Sequence, residues 1–307
     1  MSTTQLPAPP RGASLDGAIA PPTAGPSLRS PARDALRRFL RNRSAVVGLG
    51  VALLFVLIAL AGPLFAPFGA DEQQLANRLK PPSPLHLFGT DELGRDLFSR
   101  VVLGAQISLR VGILAVLLSL LVGSTVGLMA GYLGGWTDGV FMRVMDVVLA
   151  FPSTLLAIGI VAMRGPSLDM AMVAIGIVNI PIYARLARSM ALTLKEREYV
   201  LAARCLGAPG GRIVTRHILP NALSPLIVQA TLGVATAIVE AAALGFLGLG
   251  AQPPTPEWGL MLTTGRAFLI TAPWAMIFPG LAIMLTTLAF NLVGDGVRDA
   301  LDPHLKD

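Results

Sequence analysis

The sequence is poor in the residues that coat a soluble surface or carry covalent chemistry. Only 14% of its 307 residues are charged, while 53% are hydrophobic, and the mean hydropathy is +0.67. So few charges cannot cover a soluble body of this length, which excludes an ordinary cytosolic enzyme and implies a multi-span membrane protein. A single cysteine excludes an internal disulfide and a Cys-rich metal site. Cys205 has no nearby histidine and reads as a small packing residue. The three histidines, His86, His217 and His304, lie far apart, without ligand spacing, and read as surface or loop residues. The three lysines, Lys80, Lys195 and Lys306, are followed by Pro, Glu and Asp, so the chain has no lysine-ended phosphate loop. HExxH and GxSxG are also missing. The net charge is +6, and in this composition it reads as membrane topology rather than nucleic-acid binding.

What is present is a series of long uncharged runs. Residues 1–30, rich in Pro, Ala, Gly, Ser and Thr, read as a disordered tail. Residues 31–43 place five arginines around Leu36, Phe39 and Leu40. That is the pattern of a basic amphipathic helix on an anionic membrane face, and a plain topogenic charge cluster accounts for it equally. Uncharged runs at 44–70 and 111–137 are each long enough to span ~30 Å of hydrocarbon. Shorter runs at 147–163 and 170–184, then 218–256, uncharged except for Glu240, and 267–294, bring the expectation to about six transmembrane helices in an all-α fold. Phe151-Pro152 is expected to mark a kink or the start of a tighter turn in the third span, and Asn179, Pro181 and Tyr183 to weaken the fourth. With the N-terminus inside, the inside segments carry 17 Lys and Arg and the outside segments 7, so both termini are expected in the cytoplasm. A soluble segment, 71–106, then lies outside, and a loop, 195–221, inside; residues 304–307 form a short C-terminal tail. Gly123, Gly127, Gly131 and Gly135 leave one face of the second span bare for close helix packing.

The inside loop carries the strongest functional signal. Residues 196–206 are good helix formers that mix Glu198 and Arg204 with Tyr199, Ala202 and Ala203. Gly207 suits a helix C-cap, and Pro209 the first turn of a second short helix leading to Leu219-Pro220. A charged helix pair exposing small residues makes a docking surface, and a plain solvated loop is the alternative.

This loop resembles the Glu-Ala-Ala motif of ABC-importer permeases, which runs on to a Gly and an Ile-x-Leu-Pro-like close. Ala202 and Ala203 match its alanines, Gly207 its glycine and Leu219-Pro220 its close. Leu201 stands in place of the name-giving acid, with Glu198 one helical turn earlier, and Ile218 falls one place late in the register. FGTDELGRDLFSRVVLGAQISL (88–109), GGWTDGVFMRVMDVVLAFPS (134–153), EAAALGFLGLGAQPPTPEWGLML (240–262) and the run 273–303 are similar to C-type subunits of dipeptide/oligopeptide permeases. Most of residues 36–303 takes part. The resemblance implies an inner-membrane subunit that pairs with a sister permease and alternates between inward- and outward-facing states. One or two kinds of cytoplasmic ATPase, which hold ATP and magnesium, would dock on the 195–221 loop, and an extracytoplasmic binding protein would deliver peptide. It implies no cofactor on this chain and no nucleic-acid partner. Nickel and glutathione importers share this type of permease. A membrane enzyme would need an intramembrane nucleophile or metal constellation, which the sequence lacks. A self-sufficient channel or secondary transporter leaves the loop without a role.

Several residues carry paired expectations. Glu240, late in the fifth span, is costly at membrane depth unless partnered or wet. It reads either as a group lining the path or a gate, or as an inter-helix hydrogen bond, and Asn179 carries the same two readings. Arg143 and Asp146 are spaced to pair on one helix face. Thr90 or Asp91 is the expected N-cap of a helix in the outside segment. That segment's charges serve either capping or contact with a partner. Trp258 is expected to anchor the outer Pro-rich loop at the interface or to meet the binding protein.

Overall fold

The computed structural model of the chain describes residues 31–301, apart from the side chains of Pro31, Ala32 and Asp34. The tails expected at 1–30 and 304–307 lie outside these residues. Among the described residues the fold is all-α, with one isolated antiparallel bridge between Thr90 and Asp96. A short helix α1 (Pro31–Arg41) leads through Asn42 into the first span, α2 (Arg43–Phe65). A loop module then precedes α3 (Leu97–Leu133). Next come α4 (Gly135–Ala150), α5 (Ser153–Arg164) and α6 (Leu168–Leu194). The loop helices α7 (Glu198–Cys205) and α8 (Gly210–Ile213) precede α9 (Leu219–Phe246), and α10 (Trp258–Gly265) and α11 (Trp274–Leu301) complete the chain. By length and composition five described helices are able to cross a membrane, and six crossings result if α4 and α5 together form one.

The break between α4 and α5 has a simple cause. A residue before proline is pushed out of the helical region, and Phe151 sits at φ −92° and ψ 140° ahead of Pro152. The two helices meet at 93°. At about 1.5 Å per residue the 12 residues of α5 are too short to cross alone. The fourth span behaves differently from expectation. Residues 168–194 form one helix with Pro181 inside it. Tyr183 is fully packed, and its hydroxyl donates to the Gln229 carbonyl on α9 at 3.4 Å.

The principal seam of the bundle runs between α3 and α6. A Cβ at Gly123, Gly127 or Gly131 would overlap α6 backbone or side-chain atoms around Tyr183, Ala184, Ala187, Arg188 and Ala191. Glycine on one helix and alanine on the other therefore set the close approach. Gly135 leaves this stripe: Gly134 and Gly135 both have positive φ and turn the chain from α3 into α4. The expected Arg143–Asp146 pair is replaced by bonds across helices. Arg188 binds Asp138 through two hydrogen bonds of 2.5 and 2.6 Å, and Arg185 donates to Asp146 at 2.8 Å.

The helix of the second span starts well before its uncharged run. Its N-cap is Asp96, whose carboxylate accepts from the Ser99 amide and hydroxyl, each at 2.7 Å. Asp91 instead closes a turn on the Leu93 and Arg95 amides, while Thr90 Oγ1 accepts from the Lys80 amide and donates to the Asn77 carbonyl. At 37 residues and about 1.5 Å per residue, α3 is longer than the ~30 Å hydrocarbon layer. It therefore links the loop module at one end of the bundle to the 195–218 segment at the other.

Gly127→Leu is expected to wedge α3 from α6 and cost about 1–3 kcal/mol by overpacking. Gly139→Leu, on an open face of α4, is expected to change little. Thermal unfolding of both variants in mild detergent, against the unaltered chain, measures the difference.

Candidate functional site

The surface built on residues 195–221 starts where α6 ends. Arg197 caps α7 without a side-chain bond, and Val200, fully buried, ties α7 to the common core. That single anchor turns the rest of α7 outward. Glu198, Ala202 and Arg204 are exposed, Tyr199 and Leu201 are about 40% exposed, and Ala203 is half-buried. Gly207, at φ +78°, stops the helix, with its amide on the Arg204 carbonyl and the Ala208 amide on the Ala203 carbonyl. The left-handed turn is one a glycine adopts without strain. Every residue expected to dock a partner on α7 lies on this projecting ridge or its flank, and Pro220 is also exposed. An open hollow of about 720 Å³ lies beside the ridge, lined by Leu194, Glu196, Arg197, Glu198, Tyr199 and Asn221.

The ridge rests on two supports. Lys195 Nζ donates to the Gly131 carbonyl at 3.1 Å, and the Arg204 guanidinium lies 5.9 Å from the Tyr132 ring centre. Both contacts tie it to the end of α3. After the bend the chain does not form a separate second helix as expected. Pro209 is the N-cap of α8, one place before the helix, and α8 runs through a π-turn at 214–218 directly into α9. Pro220 has no amide to donate and its ring crowds the carbonyl four residues back, so a wider turn accommodates it. Two features of the ridge escape sequence reading. Leu206 is 88% exposed at its tip, beside the capping glycine, and Cys205 is exposed rather than packed. A glycine-capped helix end is the one signal that points outward there.

The second candidate region lies between α6 and α9. Asn179 Nδ2 donates to Glu240 Oε2 at 2.8 Å and to the Ile175 carbonyl at 3.0 Å. Glu240 has no cationic partner among the described residues, and it also lines a small void of about 30 Å³ with Ser153, Thr154, Ala157 and Leu247. Glu240 thus makes the expected inter-helix bond and also borders this void. Because Ser153 and Thr154 open α5, the void adjoins the break in the third span.

The loop module at the other end of the bundle is a buried polar assembly. His86 Nδ1 lies 3.0 Å from Asp96 Oδ1, and the ring, in a loop as expected, is buried. Arg95 Nε donates to Asp91 at 2.6 Å, and Arg100 donates to the Ala70 and Pro254 carbonyls. The charges of 91–100 thus bind the module internally. Trp258 is also fully buried rather than interfacial. Its indole N–H donates to the Val101 carbonyl at 3.0 Å, which fastens α10 to α3. Glu257 caps α10 by accepting from the Gly259 and Leu260 amides, both at 2.8 Å. Burial pushes its carboxyl above the usual range, against the lowering effect of those amides.

Comparison with known proteins places these features together. The family described as the binding-protein-dependent transport system inner membrane component matches residues 123–307. The N-terminal TM domain of oligopeptide transport permease C matches residues 30–82. The chain is 54% identical over 286 residues to the dipeptide transport system permease protein DppC of Alkalihalophilus pseudofirmus, covering 93% of this chain and 94% of that protein. It is 48% identical to the di/tripeptide transport system permease protein DppC of Pseudomonas aeruginosa (93% and 97% covered). It is 49% identical to the glutathione transport system permease protein GsiD of Shigella flexneri (91% and 92% covered). Among solved structures, an inward-facing conformation of the MetNI methionine ABC transporter aligns with a TM-score of 0.56 at 18% identity, covering 67% of this chain and 98% of that one. At that identity the likeness establishes a shared fold.

A raised folded-state carboxyl holds its proton longer than the unfolded chain does. Its contribution to stability is therefore full below the unfolded pKa and is lost as pH rises through the folded one. Melting of the detergent-purified chain is expected to fall with pH across that window. Glu257→Gln, which keeps an acceptor for the cap, is expected to remove this slope.

Proposed function

Since this chain belongs to the dipeptide/oligopeptide branch of the binding-protein-dependent ABC-importer permeases, we propose that it forms half of a peptide translocation path, driven by separate ATPases. The observation that carries the reading is the α7 ridge, held to the core by buried Val200 and presenting Glu198, Tyr199, Ala202 and Arg204 outward. Coupling to an ATPase requires a rigid protrusion joined to spans, and α6 and α9 leave the ridge at both ends. The ATPases seat the ridge and Gly207, and they hold the ATP and magnesium; this chain binds neither and performs no catalysis. A sister permease completes the path, and an extracytoplasmic protein delivers the cargo.

The arginine-rich α1 and the ridge lie at the same end of the bundle, and the 17-to-7 distribution of basic residues supports placing that end in the cytoplasm. Both termini are then cytoplasmic, in a multi-pass protein of the cell inner membrane. Di- and oligopeptides are the favoured cargo because dipeptide permeases are among the relatives of highest identity. Glutathione, itself a small peptide, is the second reading, supported by the 49% identity to GsiD.

Glu240 and Asn179 line the path in this reading. A carboxylate in a span costs roughly 2.5–3.5 kcal/mol on insertion scales, and a single neutral amide bond offsets part of that. Wetting by the path offsets the rest. Alternating access moves helix bundles about sites of this kind, where a span is discontinuous.

Three measurements test the reading. Gentle purification of the tagged chain from its native membrane is expected to bring a second permease and P-loop ATPases. A solitary chain, even after crosslinking through exposed Cys205, would favour a self-sufficient channel. In the assembled transporter, Glu198→Lys combined with Gly207→Leu is expected to leave insertion intact and to uncouple ATP hydrolysis from uptake. Unchanged uptake would remove the docking role. For the path, Glu240→Gln keeps an acceptor for Asn179. It is expected to preserve assembly and lower uptake, whereas a purely structural bond would leave uptake unchanged.

A further inference from the structure

The helix α1 has two opposite faces with different partners. Phe39 and Ala35 point inward and pack with Ala45, Ala300, Val293 and Val297 on α2 and α11. Phe39 fits a notch at Gly296, where an added Cβ would meet its ring, and Asn42 Nδ2 donates to Asp299 at 3.1 Å. These contacts fasten α1 to the end of α11. Residues 33, 36, 37, 40 and 41 recur at helical spacing on the other side. There Arg33, Arg37 and Arg41 are exposed beside Leu36 and Leu40, which are 57% and 55% exposed.

Those exposures match Leu53 and Leu57 on the open face of the first span, at 51% and 59%. Only Asn42 separates α1 from that span, so the helix lies within a turn of the hydrocarbon boundary. A nucleic acid or an acidic protein patch would satisfy the arginines and leave both leucines in water. A lipid leaflet satisfies both sets of groups: leucine side chains enter the acyl boundary while guanidinium groups meet phosphate oxygens.

We propose that the exposed face of α1 is a docking surface for anionic phospholipid, with Arg33, Arg37 and Arg41 on the headgroups and Leu36 and Leu40 in the acyl boundary. The helix then acts as a strut. It holds the end of α11 to the leaflet through Phe39 and Asn42, at the same end of the bundle as the α7 ridge. The partner is defined by its chemistry, a bilayer carrying negative headgroups. The inference needs no cargo and no ATPase, so it stands or falls apart from the transport reading.

The lone cysteine makes a clean test. The full chain with Cys205→Ser and Leu40→Cys carries a nitroxide label, and a Cys205→Ser, Leu53→Cys chain provides the in-bilayer reference. Both are reconstituted in phosphatidylcholine bilayers with or without phosphatidylglycerol. With phosphatidylglycerol the Leu40 label is expected to be reached by dissolved oxygen and shielded from a water-soluble nickel chelate, at a shallower depth than the Leu53 reference in the middle of α2. Its docked fraction is expected to drop without phosphatidylglycerol, and to drop in high salt, which screens headgroup charge without altering the protein. Replacing each of the three arginines by glutamine is expected to lower the docked-to-undocked ratio about fivefold. A Leu40 label open to the chelate in phosphatidylglycerol bilayers would overturn the proposal. Immersion indifferent to both lipid charge and salt would overturn it too, by reducing α1 to an apolar anchor.

Discussion

Three glycines on α3 set the distance at which that 37-residue helix meets α6, and much of the structure depends on that contact. In a bilayer, lipid tails are as apolar as leucine, so helices gain little by hiding leucine from lipid. They gain from close packing, which small residues allow. Gly123, Gly127 and Gly131 bring α3 against Tyr183, Ala184, Ala187, Arg188 and Ala191 of α6. The first span uses the same device on a second surface, burying Ala45, Gly48, Ala52, Phe55, Ala59 and Gly62 while Leu53, Leu54, Leu57, Leu60 and Leu64 face outward. On these helices the small residues set the close approaches, and Phe55, Leu109, Ile175 and Tyr183 fill the core between them.

The α3–α6 seam also connects the two ends of the molecule. At one end, α3 begins at Asp96, inside the buried assembly of His86, Asp91, Arg95 and Arg100, and it carries Trp258 of α10 on its first turns. At the other end, its last turn supports the ridge through Lys195 on Gly131 and Arg204 beside Tyr132. A load applied to α7 therefore reaches α3 directly as well as through α6. Such a path is a chain of packed groups, and it gains mechanical meaning only if the bundle has two arrangements.

Much of this was legible in the sequence because membrane insertion writes its demands plainly. Uncharged runs located the spans, the glycine period located the seam, and Gly207 located the end of α7. Phe151-Pro152 marked the break, since proline acts on its neighbour's backbone through local sterics. What escaped was decided by distant partners. Asp146 pairs with Arg185 rather than Arg143, and Asp138 with Arg188, because α6 lies alongside α4, a fact no local spacing records. Asp96 displaced Thr90 and Asp91 as the cap because those two were engaged by the loop's own amides and carbonyls. Trp258 looked interfacial beside a proline-rich loop, yet its indole found a carbonyl on α3. Pro181 did not interrupt α6, since packing against α3 and α9 holds the helix on both sides of it.

The irregular places in this fold coincide, and that coincidence says more than any one of them. The third span breaks at Pro152, the void opens at Ser153 and Thr154, and Glu240 lines the same void from α9 while bonded to Asn179 of α6. A bilayer penalises both a broken helix and a carboxylate, and random drift would not gather the two penalties at one point. Three spans thus meet where the backbone changes direction and a carboxyl is held by a single amide. The void of about 30 Å³ is the size of one or two waters, too small for a peptide. The void is therefore a local packing gap at the junction of α5, α6 and α9. Since α6 and α9 are also the two helices that leave the ridge, a displacement of α7 is applied to the pair that Asn179 and Glu240 join.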